Sequence, residues 1–366
     1  MEELTPLDTA RATVIDDCTE CGSCVRQCAF LRRYGNPSEL AQQHQAGSLA
    51  PEVIYSCSLC RLCDVHCPEA LNVSEMFWLM RCRLLEEGRV PLRQHRRILN
   101  YEKIGLSPWF QLSSITENYT TVFFPGCALA GTKPKQVQEL FILLKKKIDH
   151  LGIVLNCCAK PSHDLGRASF FERVFTTQIE ELQERGITTL ITACPSCHQI
   201  FTRYAEGMEI KTIYQILDGQ APVQKVETNE EICIHDPCST RFDAEVHQSV
   251  RAIVEWQGIT ITRMKHQRKR TLCCGEGGSA CFVAPDITDR WAEKRAEQAA
   301  GRPVLTYCAG CVHFLSGKMT TIHLVDLMLD PEAALAGKAP VTRWPFTYIS
   351  RLLLKLKLGT QYSRCP

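Results

Sequence analysis

The sequence predicts a chain of mixed class: a small α-helical domain first, then two copies of one α/β domain. Three observations predict it. The stretches 29–56 and 73–87 read as helical; from residue 121 short apolar runs alternate with amphipathic ones; and a cysteine pattern in the middle of the chain recurs further on. A length of 366 residues suits two or three domains of ordinary size. The expected division is a helical domain at 1–90, a linker at 91–120, α/β copies at 121–225 and 226–335, and a C-terminal docking tail at 336–366.

Each element has its own signal. Ser74 reads as a cap ahead of Met76, Phe77, Leu79 and Met80, with Leu84 and Gly88 closing that helix. The linker is polar and carries Pro91, Arg93, Arg96, Arg97 and Pro108, as expected of a segment lying on the surface. In the first copy, 121–124 (TVFF) has a buried-strand pattern, and Val137, Leu140, Phe141, Leu144 and Ile148 follow helical spacing. A strand at 152–155 comes next, then a helix marked by Phe175, Ile179 and Leu182 and closed by Gly186, then a strand at 188–192. The second copy answers with 231–234, a helical face of Val246, Val250, Ile253 and Val254, a strand at 258–262, a helix at 288–300 and a strand at 303–307. Strand alternating with helix predicts a parallel or mixed sheet.

Composition narrows the function classes. Apolar residues make up 45% of the chain, so a buried core is expected. A formal charge of +2 offers no attraction for nucleic acid, and none is expected as a partner. There are 22 cysteines. Such density means either a disulfide framework in a secreted protein or thiolates on metal in a reducing compartment. The acidic N-terminus has no basic or apolar signal region, and no eighteen-residue apolar stretch occurs. The expectation is therefore a cytoplasmic protein with metal-bound cysteines, the inner face of the cell membrane being an alternative site.

Eight cysteines form two runs: Cys18, Cys21, Cys24, Cys28 and Cys57, Cys60, Cys63, Cys67. Each is C-x2-C-x2-C-x3-C. Three cysteines two residues apart wrap one corner of a cubane, and the fourth reaches the neighbouring cluster. Cys18, Cys21, Cys24 and Cys67 are therefore expected to hold one [4Fe-4S] cluster, and Cys57, Cys60, Cys63 and Cys28 a second. Zinc prefers two C-x2-C pairs separated by a longer loop, which these runs fit poorly. Cys28 is followed by Ala29, where Cys67 is followed by Pro68. With helices on both sides, this region resembles the alpha-helical ferredoxins of fumarate-reductase-type complexes.

Ten more cysteines form a repeat: Cys127, Cys157, Cys158, Cys194, Cys197, then Cys238, Cys273, Cys274, Cys308, Cys311. The offset of roughly 110–116 residues means duplicated domains rather than a solenoid. Five thiolates exceed the four of a simple cubane, and an adjacent Cys-Cys pair suits a cluster with more than one kind of iron site. The cysteines fall at the ends of predicted strands, where open α/β sheets place their sites. The C-x2-C pairs also precede helices, whose first amides stabilise thiolates.

Pro125-Gly126-Cys127, Cys157-Cys158, Ala193-Cys194-Pro195-Ser196-Cys197, His235-Asp236-Pro237-Cys238, Cys273-Cys274-Gly275-Glu276-Gly277-Gly278 and Cys308-Ala309-Gly310-Cys311 resemble the cysteine-rich "CCG" domains of heterodisulfide reductase catalytic subunits. Over about residues 15 to 330 the chain is similar to the fused form of that family, in which the ferredoxin part and the cysteine-rich part share one chain. The iron–sulfur subunits of glycolate, lactate and glycerol-3-phosphate dehydrogenases share the pattern. The resemblance implies a noncubane [4Fe-4S] cluster in each copy, with all ten later cysteines catalytic, and a disulfide or thiol substrate between them. It also implies a redox partner: a flavoprotein, a cytochrome b or a ferredoxin-type donor, with peripheral membrane association through that partner. The alternative is a non-catalytic electron-transfer subunit of a flavin-dependent hydroxy-acid or glycerol-3-phosphate dehydrogenase, passing electrons to quinone. Ala159 stands where the family has glycine, which would allow a positive φ or a close backbone approach.

Other features are weaker. Cys82, Cys233, Cys281 and Cys365 read as small buried hydrophobes, with Cys281 a candidate for the second pocket. His198, His235 and Asp236 flank ligands, as hydrogen-bonding neighbours or proton donors. The basic run Arg263, Lys265, His266, Arg268, Lys269, Arg270 reads as a solvated loop or an attractor of acidic partners. Phe346, Ile349, Leu353 and Leu356 repeat at helical spacing near Arg351, Lys355 and Lys357, for self-packing or for docking on a membrane protein or surface.

Overall fold

Apolar side chains at helical spacing build the N-terminal region of the computed structural model, which describes residues 4–90, 92–218, 228 and 230–362. Helix Pro6–Asp17 starts with a capping box from Thr5 to Asp8 and buries Leu7 and Val14. Short helices Ala29–Tyr34, Pro37–Gln45 and Pro51–Tyr55 separate the two cysteine runs, and Val73–Glu86 follows them. Asn72, not Ser74, stands at the start of this last helix. The Ser74 hydroxyl instead donates to Asp64 at 2.6 Å, and its backbone N–H donates to the same carboxylate. Asp64 thus ties the helix to the second cysteine run.

Two sheets follow. The first contains β1 (Leu112–Ser114), β2 (Thr121–Phe124), β3 (Leu151–Leu155), β4 (Thr189–Thr192) and β5 (Glu209–Thr212), in the order β1-β3-β2-β4-β5. Only β1 is antiparallel. The second contains β6 (Glu231–His235), β7 (Thr260–Thr262), β8 (Val304–Thr306) and β9 (Thr321–His323), all parallel, in the order β7-β6-β8-β9. The central strands carry the apolar runs seen in the sequence and are buried along most of their length. One core joins the sheets: Ile153 and Ile191 of the first lie in the same apolar cluster as Ile232, Leu305 and Ile322 of the second. The Tyr214 hydroxyl, also buried there, approaches the carbonyls of both Ala193 and Tyr307.

Two expectations are corrected. The segment 91–120 is not a separate linker. Helix Arg96–Gly105 within it buries Glu102, which accepts from the backbone N–H of Ser162 at 2.9 Å and from its hydroxyl, while β1 pairs with β3. Nor is 336–366 only a tail for docking. Helix Phe346–Tyr362 packs on helices Cys127–Thr132 and Pro134–Lys145 and buries Leu354 and Leu358 in the shared core. Phe346, Ile349, Leu353 and Leu356 lie on its exposed side.

Candidate functional site

The two N-terminal runs interleave. Cys18, Cys21, Cys24 and Cys67 line one cavity together with Gly22 and Pro68. Cys28, Cys57, Cys60 and Cys63 line the next, with Phe77 and Trp291 on its wall. The turns are tight: Gly22 and Arg61, each two residues before the third cysteine of its run, have φ of +68° and +63° and start short helices. Cys21 is exposed whereas Cys57, Cys60 and Cys63 are buried, so the first cavity lies nearer the surface. Burial pushes Cys24 up to about 11 and Cys57 up to about 12. Thiols this reluctant to ionise in apolar surroundings need a cation to hold them as thiolates, which fits iron.

The later cysteines gather at the C-terminal ends of the parallel strands. In the first copy β2 leads to Cys127, β3 to Cys157 and Cys158, and β4 to Cys194 and Cys197. Cys127 hydrogen-bonds Cys157, Cys194 bonds Cys197, and Cys197 lies 3.4 Å from Cys158. Gly126 must be glycine: its φ is +84°, and a Cβ there would stand 2.7 Å from the Cβ of Cys194. In the second copy β6 leads to Cys238 and β8 to Cys308. Cys273 bonds Cys238 and Cys274, and Cys311 lies 3.2 Å from Cys274. The bond from Cys157 holds Cys127 down at about 6; bonds from Cys273 and Cys311 do the same for Cys274. Each set therefore mixes thiolate-prone and thiol-prone members, a donor array suited to several iron atoms.

The sets face each other across the boundary between copies. Helix Pro195–Tyr204, carrying Cys197, packs on the Cys238–Thr240 turn, and helix Ala309–Leu315, carrying Cys311, packs on helix Cys127–Thr132. Glu276 and Lys160 lie between them. Burial, reinforced by the thiols of Cys194 and Cys273, raises Glu276 to about 7, while the Lys160 ammonium acts against that rise. Lys160 pairs with Asp164 at 2.8 Å and lies within electrostatic reach of Cys238 and Cys158. Sequence reading gave neither residue a role; a charged side chain directly after Cys157-Cys158-Ala159 was the available signal for Lys160.

The ferredoxin-like region joins the second set directly, because the Cys60 thiol hydrogen-bonds Cys273. Two buried arginines secure this junction. Arg81 donates to the carbonyls of Ile54, Tyr55 and Cys57, of Asp164 in the first copy and of Gly278 in the second. Arg241 donates to the carbonyls of Cys60, Lys269 and Thr271. The glycines after Cys274 allow close approach: a Cβ on Gly277 would stand 2.5 Å from the Ser58 carbonyl oxygen, and one on Gly278 would stand 2.8 Å from that of Cys57. The basic run is partly structural. His266 is buried between Gln27 and Gln298, and Arg268 donates its N–H to Asp236.

The flanking residues resolve as follows. Asp236 is saturated by Arg251, at 2.9 and 2.8 Å, and by Arg268 and Tyr307. It locks the turn before Cys238. His198 pairs with Asp243 at 2.7 Å. Cys281 is half-buried within electrostatic reach of Cys273 and Cys274, while Cys82 and Cys233 are buried. Cys365 lies outside the described residues.

The 4Fe-4S dicluster domain family matches residues 14–71, and the cysteine-rich domain family matches 121–202 and 232–316. The chain belongs to the heterodisulfide reductase family of iron–sulfur oxidoreductases. A subunit of the dihydromethanophenazine:CoB–CoM heterodisulfide reductase of Methanosarcina mazei is 21% identical, over 93% of this chain and 98% of that one. The probable iron–sulfur-binding oxidoreductase FadF of Bacillus subtilis is 23% identical, over 73% of this chain but 43% of its own. The EtfAB:quinone oxidoreductase of Syntrophomonas wolfei is 20% identical, over 68% and 39%. The chain thus spans less than half of these last two relatives. A solved aspartate racemase of Picrophilus torridus, at 12% identity and a TM-score of 0.29 over 64% of this chain and all of that one, is too distant to bear on the fold. The chain is an iron–sulfur oxidoreductase that transfers electrons. No helix among the described residues is long and apolar enough to cross a membrane.

Proposed function

We propose that the chain holds two cubane and two noncubane [4Fe-4S] clusters and uses them to reduce a disulfide. Cys18, Cys21, Cys24 and Cys67 would hold the first cubane, and Cys28, Cys57, Cys60 and Cys63 the second. Cys127, Cys157, Cys158, Cys194 and Cys197 would hold one noncubane cluster; Cys238, Cys273, Cys274, Cys308 and Cys311 would hold the other. The observation that carries the reading is the facing of two complete five-cysteine sets across the boundary between copies, with Lys160 and Glu276 between them. Clusters at these positions supply single electrons. Cleaving one disulfide takes two electrons and two protons and yields two thiols, so a facing pair supplies both electrons without releasing a radical. The chain's own part is to place the sets together and to join the second cubane to the second set through the contact of Cys60 with Cys273.

The likeness to FadF and to an EtfAB:quinone oxidoreductase favours a second reading, in which the chain relays electrons from a flavoprotein towards quinone without acting on a disulfide. Anaerobic protein should contain about sixteen iron atoms per chain, four in each of four clusters. Cys273→Ser should reduce disulfide-reductase activity to background and leave both ferredoxin-type signals intact. Full activity in that variant, or about eight irons in the native protein, refutes the noncubane site. A co-purifying flavoprotein with no response of the oxidised protein to thiols supports the relay.

A further inference from the structure

Two arginines buried beside the facing cysteine sets have no carboxylate partner. Arg351, from helix Phe346–Tyr362, is 3% exposed, and its Nη1 atom has no hydrogen-bond partner among the described residues. Its guanidinium lies over the rings of Phe110 and Tyr101, at 5.4 and 5.7 Å, and the Tyr101 hydroxyl donates to the carbonyl of Cys127. A Cβ built on Gly105 would meet Arg351 Nη1 at 3.0 Å and the Cβ of Cys157 at 3.5 Å, so guanidinium and cysteine flank one point. Arg295, from helix Pro285–Ala299, is fully buried. Its Nη1 donates to the His266 carbonyl and to Gln298, while Nε and Nη2 have no partner among the described residues. The carboxylate within its electrostatic reach, Asp236, is already held by Arg251. Also within reach are Cys274 and Cys311.

An unpaired cation enclosed in protein costs several kcal/mol of desolvation unless an anion offsets it. Thiols are neutral and offset nothing. A cluster held by five thiolates is anionic, and its sulfurs accept hydrogen bonds that set its potential. We propose that Arg351 and Arg295 are the charge-balancing, hydrogen-bond-donating partners of the first and second five-cysteine clusters respectively, so that the C-terminal helix completes the first redox site. This rests on the reading that both sets hold iron.

The two sites are not equivalent. His235 ends β6, is fully buried, has no partner on either ring nitrogen among the described residues, and lies within 4.8 Å of the sulfurs of Cys274 and Cys311. The matching position in the first copy, three residues before its first cysteine, is Phe124, which donates nothing. With an added N–H donor, the second cluster has the higher potential of the pair. It is also the one adjoining Cys60, so electrons leaving the second cubane fall first to this site.

The test is an EPR-monitored redox titration of the full-length protein with iron counted in parallel. Arg351→Met should lower the midpoint of one noncubane signal and leave the others in place; Arg295→Met should lower the other; His235→Phe should lower the same signal as Arg295→Met. Arg351→Lys and Arg295→Lys keep the charge and should restore most of each shift; they decide the matter if the methionine variants do not fold. Unmoved midpoints at native iron content overturn the proposal, as does an equal shift of every signal. Loss of iron in His235→Phe makes the imidazole a ligand and overturns its role as donor. A native protein with only about eight irons instead overturns the cluster assignment beneath it, a result the iron count separates from the rest.

Discussion

Ala159 holds a left-handed conformation, φ +54° and ψ +21°, and its methyl is fully buried. Its counterpart Gly275 also has a positive φ, +114°. Alanine therefore adopts the turn that glycine would make, and the whole five-cysteine set still assembles around it. The conformation costs a non-glycine residue about 1 kcal/mol, so Ala159→Gly should raise unfolding stability by up to about that amount in denaturant titration. A loss would mean that the methyl's packing outweighs the strain. Buried histidines give a second prediction at this scale. Desolvation and then Arg81 drive His95 down to about 4, and desolvation and then Lys133 drive His323 down to about 3. Both titrate near 6.5 when unfolded. In the interval between, the unfolded chain binds more protons, so stability falls as pH drops from about 6.5 towards 4. Each group accounts for roughly 3–4 kcal/mol over the full interval. His95→Phe should flatten the acid side of a stability–pH profile; an unchanged slope would show that the imidazole is not buried neutral.

At the scale of elements, the strands that carry cysteines were legible and the edge strands were not. The buried runs at 121–124, 152–155, 189–192 and 304–306 lie inside two-sided sheets, so their sequences are continuously apolar. Leu112–Ser114, Glu209–Thr212 and Thr321–His323 are short edge strands, largely half-exposed and partly polar, and carry no such signal. The cysteine spacing foretold which thiols come together, because cluster geometry acts over a few residues. It said nothing about Gly277 and Gly278, whose small size serves contact with Ser58 and Cys57, far earlier in the chain. Nor did it mark Arg81, an arginine on the buried face of helix Val73–Glu86 that bonds five carbonyls from three regions. Arg81→Met would leave those acceptors buried without donors, at about 1–3 kcal/mol each. It should lower stability by more than about 4 kcal/mol, read as a fall in the denaturation midpoint. A loss under about 1 kcal/mol would show that the junction does not depend on it.

For the whole molecule, what matters is that the regions share their cores. Leu40, Ile54, Met76 and Phe77 lie in one apolar cluster with Leu165 of the first copy and with Leu272, Ala284, Ile287 and Trp291 of the second. Domains joined by small polar interfaces move against each other as a rule, on microsecond-to-millisecond timescales. Here the wall of the second N-terminal cavity is itself built by Trp291 from the second copy, so that cavity opens only if the apolar contact is broken. Transfer between the N-terminal and C-terminal centres should therefore keep its rate when glycerol thickens the solvent, as followed by rapid freezing. A rate falling in proportion to viscosity would reveal a swinging arm. The molecule behaves as soldered wiring: during turnover it is the visitors that dock and depart, while the conductor stays still.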